Sequence, residues 1–130
     1  MRHFTLAEAE VLIPELERIF DAISEIAAKA EAKAERVRKL ERDESKNLSQ
    51  LAIERAQLQF LAGGMNEWFQ KIVNLGAMPK GLDPALVDFP YRLGDREVYL
   101  CWRLGEKRIT HYHGLEEGYA GRKALPRAAS

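Results

Sequence analysis

The sequence predicts an α+β fold: a long antiparallel helical hairpin followed by a small three-stranded antiparallel β-meander and a C-terminal loop. Three observations carry that expectation. Apolar residues recur at steps of three and four through most of residues 1–76. Between Val87 and His113 the period drops to two. Two near-identical phrases, Arg92-Leu93-Gly94-Asp95-Arg96 and Arg103-Leu104-Gly105-Glu106-Lys107, stand eleven residues apart, where hairpin turns would be needed. The expected organisation is one domain over 1–130: hairpin 1–76, connector 77–86, meander 87–113, glycine-rich loop and tail 114–130.

The first helix starts at a capping box. Thr5 can cap, Glu8 follows at the third position, and Phe4 is placed to staple onto Ala9. Leu6, Ala9, Ile13, Leu16, Phe20, Ile23, Ala27, Ala30, Ala34 and Val37 then form a heptad seam, widened by Leu12, Ile19, Ile26 and Leu40. The seam keeps its phase through Pro14, so one long helix is expected, kinked near Glu10 where proline removes a backbone bond. Beyond Ile26 the seam turns to alanine, and charges of alternating sign flank it from Lys29 to Arg42, the pattern of a solvated face.

Asp43 to Asn47 breaks the pattern. Leu51, Leu58, Ala62, Met65, Phe69 and Ile72 resume it on a second helix, with Leu61, Trp68 and Val73 beside them and Arg55 snorkelling outward. Gly63-Gly64 weakens this helix and points to close packing by a neighbouring helix or, alternatively, to a kink that serves as a hinge. Gly76 can end it in the left-handed conformation. The combined stripe is broader than one partner helix covers, so the sheet, a second chain or both must cover the rest.

In the meander, two-residue turns at Gly94-Asp95 and Gly105-Glu106 set a register. Asp88 faces Cys101 and Cys101 faces Thr110; Leu100 faces His111; Val98 faces His113. One face then carries Phe89, Tyr91, Val98, Leu100, Trp102, Ile109, His111 and His113 against the helices. The other carries Asp88, Tyr99, Cys101 and Arg103. That register separates the thiol from both histidines and argues against a Cys–His couple.

The 20 basic and 20 acidic residues balance, so phosphate-driven nucleic-acid binding is not favoured; only a local patch of Arg92, Arg103, Arg108, Tyr99 and Tyr112 points that way. A single cysteine excludes an internal disulfide. No apolar run approaches the roughly 20 residues that span a bilayer, and the start, MRHFTLAEAE, lacks a signal core. A cytoplasmic protein with no membrane partner is expected.

Chemistry concentrates after Val87. His111 and His113 share one side of a strand, about 7 Å apart, and with Glu117 make a candidate divalent-metal set. The bland alternative is a pair of histidines closing the rim of an apolar face. Trp102, Arg103, His113, Tyr119 and Arg122 make a candidate binding set around GLEEGYAGR, where Arg122 can clamp an anion or pin the loop by a salt bridge.

The segments FTLAEAEVLIPEL, GLDPALVDFP, EVYLCWRLGE and HGLEEGYAGR resemble the bacterial and archaeal family called domain of unknown function 2203, from Phe4 to Arg122. The resemblance implies a prokaryotic helix-plus-sheet domain and carries over no activity or catalytic residue. The leading functional expectation is a non-enzymatic scaffold, without cofactor, that self-associates into a homo-oligomer through coiled-coil helices. The alternative is a small-molecule or metal site, with hydrolysis as one outcome, at the histidine rim and glycine loop.

Overall fold

The structure, a computed structural model, describes residues 2–45 and 47–126. The last residues of the expected tail, and Lys46 in the break between helices, lie outside them. The chain divides into two compact units, Met1–Phe20 with Lys71–Ser130, and Asp21–Gln70. The helices are α1 (Leu6–Val11), α2 (Ile13–Arg42) and α3 (Leu48–Asn74). The strands are β1 (Met78–Leu82), β2 (Ala85–Leu93), β3 (Arg96–Arg103), β4 (His111–Gly114) and β5 (Lys123–Ala124).

Thr5 closes the expected capping box with Glu8. The expected single kinked helix is instead two helices. The chain turns at Leu12, whose N–H bonds back to Ala9 and Glu10. Pro14 therefore falls in the first turn of α2, where its missing donor costs nothing.

In the unit Asp21–Gln70, α2 and α3 form the hairpin. Glu54 of α3 is buried between Lys33 and Arg36 of α2, each 2.6 Å away, and accepts from Gln50 at 2.9 Å. Lys33 first and Arg36 second hold this carboxyl down at about 2. Gly64 stands where an added Cβ would come within 3.7 Å of Ile26, an ordinary side-chain contact with no close backbone approach, while nothing lies within 4 Å of a Cβ at Gly63.

The other unit holds the sheet, a meander in the order β1-β2-β3-β4-β5, antiparallel throughout. Five strands replace the expected three. The supposed connector 77–86 supplies β1 and the start of β2, joined across the cis peptide Asp83-Pro84. Lys123-Ala124 adds a last short strand beside β4. One face of the sheet packs Phe89, Val98, Leu100 and Trp102 into the core with Phe4, Leu16 and Phe20. Phe20 lies against Trp102 with ring centroids 6.2 Å apart, and Phe4 meets Phe89 edge-on at 5.1 Å. Gly76 ends α3 with φ 95, and Gly94 opens the β2–β3 turn with φ 66, both in the left-handed region glycine tolerates.

The β2–β3 register is the expected one, with Asp88 opposite Cys101 and Phe89 opposite Leu100. The β3–β4 register is not. Cys101 stands opposite His111 and Tyr99 opposite His113, one residue from the expected pairing. Because side chains alternate with period two, that single step moves both histidines to the opposite face of the sheet. The cause is the turn at Gly105. It closes as a β-turn, with Glu106 N–H on the Arg103 carbonyl, but the chain does not return directly to the ladder. The Trp102 indole donates to the Glu106 carbonyl at 2.9 Å, and Ile109 N–H is held by Glu10 at 2.9 Å. A loop from Leu104 to Thr110 results, and β4 begins only at His111.

Candidate functional site

The slipped register gathers Asp88, Cys101 and His113 on one face of three adjacent strands. Each is nearly inaccessible, at 2%, 1% and 2% exposure. They lie at the wall of a pocket of about 300 Å³, lined also by Lys80, Leu86, Glu117, Gly118 and Tyr119. The loop after β4 therefore roofs the face on which sequence alternation placed Asp88, Tyr99, Cys101 and Arg103.

His113 is held at both ring nitrogens. Nδ1 lies 2.9 Å from the Gly114 carbonyl, and Nε2 lies 3.0 Å from each oxygen of Asp88. A carbonyl only accepts, so Nδ1 carries the hydrogen of that bond. In the neutral ring Nε2 then turns a lone pair toward a carboxylate that, when ionised, also only accepts. The contact is favourable only with a positive charge between the two, either a proton or a metal ion. A metal-ligating histidine is oriented in the same way, with its outer nitrogen fixed on a backbone carbonyl; here the inner nitrogen is engaged by Asp88.

Burial pushes the Asp88 carboxyl up, against the pull of His113, Lys80 and the Cys101 thiol. Burial first, then Asp88, pushes the Cys101 thiol up to about 12, although Arg122 opposes. At neutral pH the thiol is protonated and is no free nucleophile, even though it now shares a face with an imidazole. Bound to a metal it would be a thiolate regardless. The Asp88 oxygen, Cys101 Sγ and His113 Nε2 all lie within 4.8 Å of one another. A tetrahedral zinc with bonds of about 2.0–2.3 Å needs its ligand atoms about 3.5 Å apart, so the His113–Asp88 pair, at 3.0 Å, would have to open slightly and any separation near 4.8 Å would have to close.

The residues marked from sequence are distributed as follows. His113 is at the centre. His111 lies on the same face, but its Nδ1 is 2.8 Å from the Thr110 hydroxyl, and among the described residues it joins no ligand cluster. Glu117 reaches the pocket but is already committed, accepting from Gly114 N–H at 2.7 Å and Lys123 at 2.8 Å; Lys123 first holds its carboxyl low. Trp102 is on the other face, fully buried in the core. Arg103 donates to the Tyr119 hydroxyl at 3.0 Å. Arg122 clamps Glu106 at 3.0 and 2.9 Å and reaches the Cys101 carbonyl at 3.3 Å. It pins the loop to the sheet, the bland alternative for this residue. Asp88, Cys101 and Lys80 were missing from the sequence-derived site. Asp88 had a signal, its pairing with Cys101; Lys80 had none, because β1 was not expected.

The fold and site together define an α+β domain in which a helical hairpin accompanies a five-stranded meander carrying a buried Asp–Cys–His cluster. The chain belongs to the family described as uncharacterized conserved protein (DUF2203), whose model matches residues 2–125. Comparison with curated proteins and with solved structures finds no match. Among the described residues no helix is long and apolar enough to cross a membrane.

Proposed function

We propose that this protein is a divalent-metal-binding domain with Asp88, Cys101 and His113 as ligands and zinc as the best-matched ion. One observation carries the reading: with Nδ1 on the Gly114 carbonyl, His113 Nε2 faces the Asp88 carboxyl at 3.0 Å beside the Cys101 thiol, a contact that needs a proton or a metal ion between the two. A thiolate, an imidazole and a carboxylate are zinc's ligand types, and three protein ligands leave one coordination position over. The set replaces His111, His113 and Glu117, keeping only His113. The high thiol pKa favours a binding role over a thiol enzyme. A cytoplasmic setting suits this reading, because a reducing compartment keeps a lone thiol available.

The test is metal analysis of untagged protein, followed by melting with added zinc. Expected are about one zinc per chain, a raised melting temperature, and loss of both in Cys101→Ser. Metal-free protein whose melting is unmoved by zinc, nickel, iron or manganese would sink the reading.

A second reading, self-association through the helices, has its own support. Phe60 is 81% exposed and Ile53 51%, one heptad apart on α3, with exposed Ala56 and Gly63 between and beyond them. A second copy paired along this stripe in coiled-coil fashion would cover it. Molar mass in solution decides: Phe60→Glu should dissociate the oligomer with helicity kept, and a wild-type monomer at micromolar concentration rules the reading out.

A further inference from the structure

We infer that the site takes a small oxyanion, a carboxylate or a phosphate, bound jointly by the metal's fourth position and by Lys80. The inference rests on the metal reading above and concerns what the bound metal leaves exposed. Lys80 is the residue at which the β1–β2 register shifts: Pro79 pairs with Val87 and Gly81 with Leu86, so Lys80 is the extra residue of a β-bulge. Bulges re-aim a side chain, and they concentrate beside active sites. This one brings a lysine to the same pocket wall as the three ligands, close enough that its charge acts on Asp88. Its ammonium sits 6.0 Å from the Tyr99 ring centre, and among the described residues it has no carboxylate partner within ion-pair distance.

Charge then selects the ligand. A divalent ion held by one thiolate, one carboxylate and one neutral imidazole is locally neutral. Glu117 on the far wall is neutralised by Lys123 at 2.8 Å. Lys80 is the charge left over, so the pocket with metal in place is cationic. At about 300 Å³ it has room for a small molecule and none for a polymer. Two other polar residues of the lining already have partners: Tyr119 accepts from Arg103 of β3 and Glu117 from Gly114 N–H. Glu117 is the alternative fourth ligand. It would have to give up both Gly114 N–H and Lys123, and with them the tie that closes the loop.

Cobalt-substituted protein separates the possibilities in one titration. A thiolate-to-cobalt charge-transfer band reports the metal and Cys101. The visible bands report the fourth position as acetate or inorganic phosphate is added. The expected result is a saturable shift of the visible bands with one or both probes. Lys80→Ala should weaken that shift about tenfold, the worth of one charge-assisted hydrogen bond, with cobalt stoichiometry unchanged. Which probe shifts the spectrum more tightly identifies the oxyanion. Cobalt bands that neither probe moves overturn the inference while the metal reading stands. Bands altered by Glu117→Gln in the absence of any anion do the same, because they make Glu117 the fourth ligand. Failure of cobalt to bind removes the metal reading first and the inference with it.

Discussion

Glu54 in the helical hairpin and Asp88 in the sheet unit are both almost wholly buried, at 4% and 2% exposure, yet their acidities move in opposite directions. Glu54 is met by fixed cations, Lys33 and Arg36, which hold it at about 2. Asp88 is bonded to an imidazole and a thiol, neither permanently charged, with Lys80 acting only through its charge, so burial dominates and its carboxyl rises. At Glu54 the fixed cations outweigh burial, and at Asp88 burial outweighs the partners. A buried carboxylate surrounded by ammonium and guanidinium groups has its counter-charge built in and reads as structure. One surrounded by titratable metal ligands has a counter-charge still to be supplied.

Exchanging the two acids for their amides tests that comparison most strongly at Asp88. Asp88→Asn is expected to weaken zinc binding by about a hundredfold, while the metal-free melting temperature stays close to wild type, since the amide still fits beside His113. A variant that melts far lower without metal, or binds zinc as before, would make Asp88 a structural acid like Glu54. At Glu54 the expectation reverses. Glu54→Gln should leave zinc binding alone and lower the stability of the hairpin, read by helical circular dichroism. The sign with pH follows from a folded pKa of about 2 lying below the ordinary 4.5. The Glu54 contribution is full above about pH 4.5 and is lost as pH falls toward about 2. Glu54→Gln should flatten that acid limb, and an unchanged limb would assign it to other carboxylates. The smallest effect serves as a control away from both acids. Gly94 has φ 66, so Gly94→Ala should cost about 1–2 kcal/mol in denaturant unfolding, with zinc affinity untouched.

Helix periodicity, the capping box at Thr5, the Gly76 stop and the Gly94-Asp95 turn were all readable, because each depends on residues within a few positions of one another. Three features were not. Two-residue turn logic served at Gly94, where the strands reconnect directly. It failed at Gly105, where Trp102 and, from far away in sequence, Glu10 hold the loop out. β1 was hidden because MPKGLDP carries turn residues in a segment that pairs only through β2. The site was half-readable: His113 was selected for its chemistry, while its partners Asp88 and Cys101 were assigned to the opposite face by the register error. Arg122 was expected in the binding set, with a salt-bridged loop pin as its alternative, and it is bonded to Glu106 and the Cys101 carbonyl.

The loop from Leu104 to Thr110 also makes chain length an ingredient of the site. Strand geometry counts modulo two, so removing or adding one residue there would send His113 through the sheet into the hydrophobic layer and bring a neighbour, Tyr112 or Gly114, to the cluster instead. Removing or adding two would restore the imidazole to its own side. The arithmetic of that loop, even or odd, decides whether Asp88 and Cys101 have a third companion.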